Sequence, residues 1–326
     1  MDTGTHVVMG IALGGLATLD PVVATDPLTH QAIIIGVLVG SQAPDFDTVT
    51  KLRNNAVYLR NHRGMTHSIP AVCLWPILIA SALFTVFPDV NLFHLWLWTF
   101  FSVILHVFVD VFNAYGTQAL RPFSKKWIGL GVINTFDPFI FFSHLIALFI
   151  WRYTGEGGYT ILTLYIILIF YYVWRFKARN RVQARVLKKI PSATQMFISP
   201  SYRWSDWHIA VKDPNLFYVI KIKKNKLKII DTFEQQPLPT NEIMEAATTD
   251  ENITAFLSFS KIYTWEIHKE QNKIEVRFTD LRYLSKSYYP FVAVVHLNLD
   301  LMPQSSFTGW VFSEDKLQKK LSYITE

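Results

Sequence analysis

The 326-residue chain is 51% apolar, 15% aromatic and only 17% charged, against roughly 25% charged in an ordinary soluble domain, so lipid is the expected solvent for much of it. Residues 1–175 hold nine Lys or Arg and nine Asp or Glu, which leaves the whole net charge of +6 to residues 176–326. A basic stretch beside a membrane meets anionic lipid, so membrane lipid is the expected partner and no nucleic acid is. Cys73 is the only cysteine; disulfides and thiolate zinc clusters are excluded, and any metal must be held by nitrogen and oxygen.

Met1 to His6 lacks the basic n-region of a cleaved signal peptide, so this end is expected to stay on the mature protein. Six apolar segments follow, at 5–19, 29–43, 69–87, 91–113, 138–152 and 158–175. The third, fourth and sixth approach the ~20 helical residues that cross a hydrocarbon core of about 30 Å. The shorter three cross a thinned bilayer or insert as hairpins against the longer ones. The predicted fold is an all-α membrane helical bundle over 1–175, a basic juxtamembrane linker over 176–190 and a small β-rich C-terminal domain over 191–326.

Charge orients the bundle. Arg175 to Lys189 carries seven basic residues and no acid, which places it in the cytoplasm. Counting back through six crossings puts loops 44–68 and 114–137 on that side too. These loops carry Lys51, Arg53, Arg60, Arg63, Arg121, Lys125 and Lys126, whereas connections near 20–28, 88–90 and 153–157 have no Lys or Arg. A multi-pass cell-membrane protein with its N-terminus and C-terminal domain in the cytoplasm is expected. Beyond residue 190, stretches beginning at Phe217, Lys226, Lys261, Lys273 and Tyr289 alternate apolar and polar residues or form short β-branched runs, and read as antiparallel strands.

Ionisable residues within apolar segments are costly and tend to be functional. His106 and Asp110, four apart in the fourth segment, share a helix face and can reach one ion or pair with each other. Pro44-Asp-Phe-Asp47 offers two carboxylates where the second segment ends, either as chelators or as solvated helix-end aspartates. His62-Arg-Gly-Met-Thr-His-Ser68 brackets Arg63 with two imidazoles; Ser68 is placed to cap the next helix and Pro70 suits its first turn. His6 opens the first segment and Asp137 caps the fifth. All eight histidines and aspartates of this set, with Arg63, fall on the predicted cytoplasmic side. His30, His94, His144, His208, His268 and His296 read as structural or surface residues.

Thr5-His6, Pro44-Asp-Phe-Asp47, His62-Arg-Gly-Met-Thr-His-Ser68 and His106-x-x-x-Asp110 together resemble the pattern of the YdjM-like family of membrane-bound metal-dependent hydrolases, over about residues 1–175. A more distant similarity is to zinc-dependent phospholipases C, which also set His and Asp ligands in a helical core. The resemblance implies a metal site more firmly than a reaction.

His6, Asp45, Asp47, His62, His67, His106 and Asp110 are therefore expected to hold one or two divalent ions, Zn²⁺ or Mn²⁺. A metal-activated water would attack an ester or phosphoester, with Asp47 or Asp137 taking its proton and Arg63 stabilising the anionic group. A phospholipid, another amphiphile or a phosphate-containing molecule is the expected substrate at such a face. The competing expectation is a non-catalytic membrane protein whose metal staples helices, or whose His and Asp residues lie on an ion or proton path.

Overall fold

The computed structural model of the chain describes residues 1–285 and 287–322. Its helices begin where the sequence supplies a side-chain acceptor for orphan N–H groups, which lipid cannot satisfy. The Asp2 carboxylate accepts from Thr5 N at the start of α1 (Thr3–Leu16). After α2 (Pro21–Thr25), Asp26 accepts from Leu28 N and Thr29 N to open α3 (Pro27–Gly40). A 3₁₀ segment, Ala43–Leu52, and α4 (Asn55–Asn61) occupy the stretch expected to be a loop. Ser68 caps α5 (Ile69–Val86), Asn91 caps α6 (Leu92–Val111), and Asp137 caps α7 (Pro138–Thr154). Then α8 runs from Gly157 to Lys189.

Helices α5, α6 and α8 are long and apolar enough to cross a membrane; α3 and the 3₁₀ segment, bent by 45° at their junction, make a fourth span if taken together. Thr3–Leu19 and α7 are apolar but shorter. Only Pro76, Ile79 and Ala80 of α5 are buried, while Ile69, Leu74, Ile77, Leu78 and Val86 are exposed, as lipid contact requires. The linker expected at 176–190 is the C-terminal part of α8 instead. Its Ala, Arg, Lys, Gln and Leu residues favour helix and no Gly or Pro interrupts them before Pro191, so a helix nucleated in the apolar segment propagates through.

Close approach of backbones builds the bundle. A Cβ at Gly36 would lie 2.6 Å from Thr99 Oγ1, so α3 meets α6 through a glycine. At Gly10 of α1 it would lie 2.8 Å from Ser41 Cβ and 2.9 Å from the Val37 carbonyl oxygen. Small residues at helix crossings are the usual means of association in lipid, where the hydrophobic effect gives no net drive. Ser102 Oγ donates to the Val37 carbonyl oxygen at 2.6 Å, which ties α6 to the last turn of α3.

The C-terminal region has two four-stranded sheets in sequential order. The first is β1 (Gln195–Pro200), β2 (Trp207–Lys212), β3 (Leu216–Lys223) and β4 (Lys226–Glu234). A two-residue turn with positive φ at Lys224 and Asn225 joins β3 to β4, matching the twist of a hairpin. Helices α9 (Glu242–Thr249) and α10 (Glu251–Phe259) lead to β5 (Tyr263–Lys269), β6 (Ile274–Asp280), β7 (Phe291–Leu297), β8 (Pro303–Trp310) and α11 (Glu314–Ser322). Every residue of β7 is buried: Val292 and Val294 pack with Leu317 and Leu321 of α11, while Phe291 stacks on Phe256 of α10. By its internal contacts the chain divides into one unit of residues 1–47, 62–184 and 199–204 and another of 48–61, 185–198 and 205–326.

Two outcomes follow from this packing. Gly10→Val should lower the thermal midpoint in detergent, corresponding to about 1–3 kcal/mol of overpacking, because Ser41 and a backbone carbonyl must shift. In β2, burial of the His208 ring, with Lys221 opposite, pulls its pKa down to about 4, below its ordinary value of about 6.5. An unfolded chain therefore takes up this proton first, and stability should fall as pH drops from about 6.5 toward 4. Hydrogen exchange of the β2 amides should quicken over that window in the wild type and lose that dependence in His208→Gln.

Candidate metal centre

Four pieces of chain deliver the site. The first turn of α1 carries His6, the 3₁₀ segment after α3 carries Asp45 and Asp47, the loop before α5 carries His62 to His67, and α6 carries His106 and Asp110 one turn apart. Second partners orient two of the imidazoles. His106 Nδ1 lies 2.6 Å from the Ser41 carbonyl oxygen, which can only accept, so Nδ1 carries the proton and Nε2 the lone pair. Thr66 Oγ1 donates to Asp47 Oδ2 at 2.7 Å, and its own lone pair then takes the His67 Nδ1 proton at 3.1 Å. His67 Nε2 is thereby left as an acceptor. Partners of this kind fix the tautomer and aim of metal-binding histidines.

The aimed atoms converge. His67 Nε2 is 3.6 Å from Asp45 Oδ1 and 3.6 Å from Asp110 Oδ2. His106 Nε2 is 3.7 and 3.8 Å from the same two oxygens. Donor atoms of these four residues all lie within 4.8 Å of one another. His6 stacks on His106 with ring centroids 3.7 Å apart and brings Nε2 to 3.4 Å from Asp110 Oδ1. The amino group of Met1 also meets Asp110 Oδ1.

His6 Nε2, Asp45 Oδ1, His67 Nε2, His106 Nε2 and Asp110 Oδ2 are all buried without a hydrogen-bond partner. Each such atom costs about 1–3 kcal/mol if nothing else engages it. A cation held among Asp45, His67, His106 and Asp110 would engage four of them at once. Ligands about 2.0–2.2 Å from a tetrahedral ion lie roughly 3.4 Å apart, close to the separations seen, and the N/O donor set suits zinc or manganese. Burial, reinforced by neighbouring His106, pushes the His67 imidazole well below its ordinary pKa, which keeps its Nε2 lone pair available.

Asp45, Asp47 and His62 form a second grouping of donor atoms within 4.8 Å. Asp47 also shapes the backbone around it. Its Oδ1 accepts from His62 Nδ1 at 2.8 Å, and its Oδ2 accepts from Arg63 N at 2.9 Å and from Thr66 Oγ1. These bonds hold the loop in a shape that includes a left-handed Arg63, φ 57°, a conformation that is strained for a residue with a Cβ. The Arg63 carbonyl accepts from Gln118 N at 2.9 Å. Its guanidinium Nε lies 3.2 Å from Asp110 Oδ2, and Nη2 donates to the Met1 carbonyl oxygen.

Asp137 is in neither grouping. As expected from its place before the fifth segment, Asp137 caps α7 by accepting from Phe139 N and Ile140 N, and it also accepts from the Tyr171 hydroxyl at 2.7 Å. Three supporting groups stand outside the sequence-based expectation. Thr66 lies inside the His62–Ser68 motif, and Asn113, whose amide donates to Asp110 Oδ1 at 3.2 Å, lies three residues beyond Asp110, so both were open to inspection. The Ser41 carbonyl has no side-chain signature. Asp47→Ala should destabilise the protein by about 2–4 kcal/mol, since three hydrogen bonds to one carboxylate are lost. Hydrogen exchange over residues 62–68 should rise with it, while Asp137→Asn, which keeps a capping oxygen, should leave that loop unchanged.

Comparison with known proteins identifies the family of the chain. The family described as YdjM inner membrane protein matches residues 1–182. The YfhP middle domain matches 191–233, and the YfhP C-terminal alpha/beta plait domain matches 242–321. The chain is 56% identical over 322 residues to the uncharacterized protein YfhP of Bacillus subtilis (strain 168), covering 98% of each chain. No solved structure matches. The chain thus belongs to the YdjM inner membrane protein family, with the YfhP middle and C-terminal domains appended.

Proposed function

We propose that the protein is a membrane-bound metal-dependent hydrolase acting on an ester or phosphoester, with a phospholipid or similar amphiphile as the substrate class. The observation that carries this reading is the convergence of five buried donor atoms without a hydrogen bond, from His6, Asp45, His67, His106 and Asp110, beside two partly exposed groups. The side chains of His67, His106 and Asp110 are 0% exposed, whereas Asp45 is 19% and His62 22% exposed. Substrate and water approach from the side of Asp45 and His62.

One or two Zn²⁺ or Mn²⁺ ions held by these donors would supply Lewis acidity and a bound water with its pKa lowered toward neutrality. Asp47 is engaged three times, so the proton acceptor is better sought in His62, which Asp47 orients through Nδ1. Arg63 offsets the charge of Asp110 and adds a guanidinium near the site, the group suited to an anionic phosphate or carboxylate. The charge pattern of the loops supports placing this face, the N-terminus and the C-terminal domain in the cytoplasm.

Complete enclosure of three ligands favours a second reading, in which the ion staples the loop before α5 and the 3₁₀ segment to α6 without turnover. Metal analysis of protein purified in detergent should find about one or two ions per chain, reduced at least tenfold in folded His67→Ala and Asp110→Ala. Retention of full metal by either variant would refute the site. His62→Gln should keep the metal and slow hydrolysis of phosphodiester, phospholipid or carboxylester substrates by on the order of 10²-fold. Metal-loaded wild type inactive across that panel would leave the staple.

A further inference from the structure

Glu275, His296 and Ser305 stand directly opposite one another on β6, β7 and β8, on the sheet face that α11 covers. His296 Nε2 lies 2.9 Å from Glu275 Oε2, and Ser305 Oγ lies 3.3 Å from His296 Nδ1. All three residues are buried. Burial raises the Glu275 pKa, but hydrogen bonds from His296 and Arg277 and the Arg277 charge hold it well below the usual carboxylate range. Arg277 donates to Oε1 through Nε at 3.0 Å, leaving Oε2 to the imidazole.

An ionised carboxylate only accepts, so the Nε2 of His296 carries a proton, and the neutral ring presents its lone pair at Nδ1. The Ser305 hydroxyl must then donate to that lone pair. This is the order of roles that activates a serine: nucleophile, base, and an acid that orients the base. A plain structural row of side chains would end in the sheet, but this one opens on a cavity of about 860 Å³ lined by His296 and Ser305 with Lys273, Gln304, Gln318 and Leu321. The pairing of β7 with β8 also shifts register between His296 and Leu297, the type of irregularity that re-aims side chains beside functional sites.

We propose that Ser305, His296 and Glu275 form a second hydrolytic site, separate from the metal centre, that takes carboxylic esters. Ser305 Oγ attacks the ester carbonyl carbon while His296 Nδ1 takes the hydroxyl proton and passes it to the departing alkoxide. The new Oγ–acyl bond replaces the broken ester C–O bond. Water then attacks the acyl carbon, one proton returns to Ser305, and carboxylic acid leaves, so one ester and one water give one acid and one alcohol. His296 is a catalytic residue in this scheme and Glu275 a positioning residue.

The test uses the full-length protein in detergent and an alkyl fluorophosphonate, which transfers phosphorus to an activated serine with loss of fluoride. A phosphonyl adduct on Ser305, located by peptide mass spectrometry and absent in Ser305→Ala, is the expected result. His296→Gln should slow labelling by on the order of 10²-fold, and Glu275→Gln should shift its pH profile as well as its rate. The adduct on Ser305 should still form in His67→Ala, which separates this site from the metal centre. Absence of an adduct on Ser305 in the folded wild type, or labelling of folded His296→Gln at the wild-type rate, would overturn the proposal.

Discussion

An aspartate with no access to water, enclosed by helices that would otherwise face only apolar neighbours, is the constraint on which the N-terminal half depends. Asp110 is fully buried and cannot be left as a bare charge, since burial of an uncompensated carboxylate is severely unfavourable. Arg63 and Asn113 address part of it. His67, His106 and Asp45 surround Asp110 Oδ2 at distances too long for hydrogen bonds and suited to a shared cation. Close glycine contacts of α3 with α1 and α6, the bend after α3 and the strained Arg63 loop all set these atoms at one end of the bundle.

Support for the cluster is layered outward from the donors. Ser41, at the C-terminus of α3, gives its carbonyl to His106 rather than to a further helical turn. Thr66 couples His67 to Asp47, and Asp47 in turn shapes the loop that places His67. A single carboxylate therefore links backbone conformation to imidazole tautomer. Such coupling makes the supporting residues as sensitive to substitution as the donors themselves.

Much of this was legible in the sequence. His106 and Asp110 show their common face by spacing alone, and Ser68 and Asp137 announce helix starts. Spacing could not separate a donor from the residue that holds it: Asp45 and Asp47 sit in one motif, yet one has an orphan oxygen and the other is bound three times by the loop. Asp137 looked like a site acid because sidedness grouped it with the others, whereas its oxygens serve α7 and Tyr171. In the C-terminal region the strands at β3 to β7 alternate visibly. By contrast β8, Pro-Gln-Ser-Ser-Phe-Thr-Gly-Trp, is too polar to read as a strand because its strand character comes from pairing with β7. For the same reason the sequence does not reveal the row Glu275, His296 and Ser305: these residues are neighbours only across the sheet.

X-ray absorption at the edge of the metal that copurifies with the protein tests the buried cluster most directly. The expected spectrum has only nitrogen and oxygen in the first shell, at about 2.0–2.2 Å, with the outer-shell scattering of several imidazole rings, and that scattering is diminished in His106→Ala. A spectrum of a hydrated ion with no imidazole contribution, or a sulfur ligand from Cys73, would contradict it.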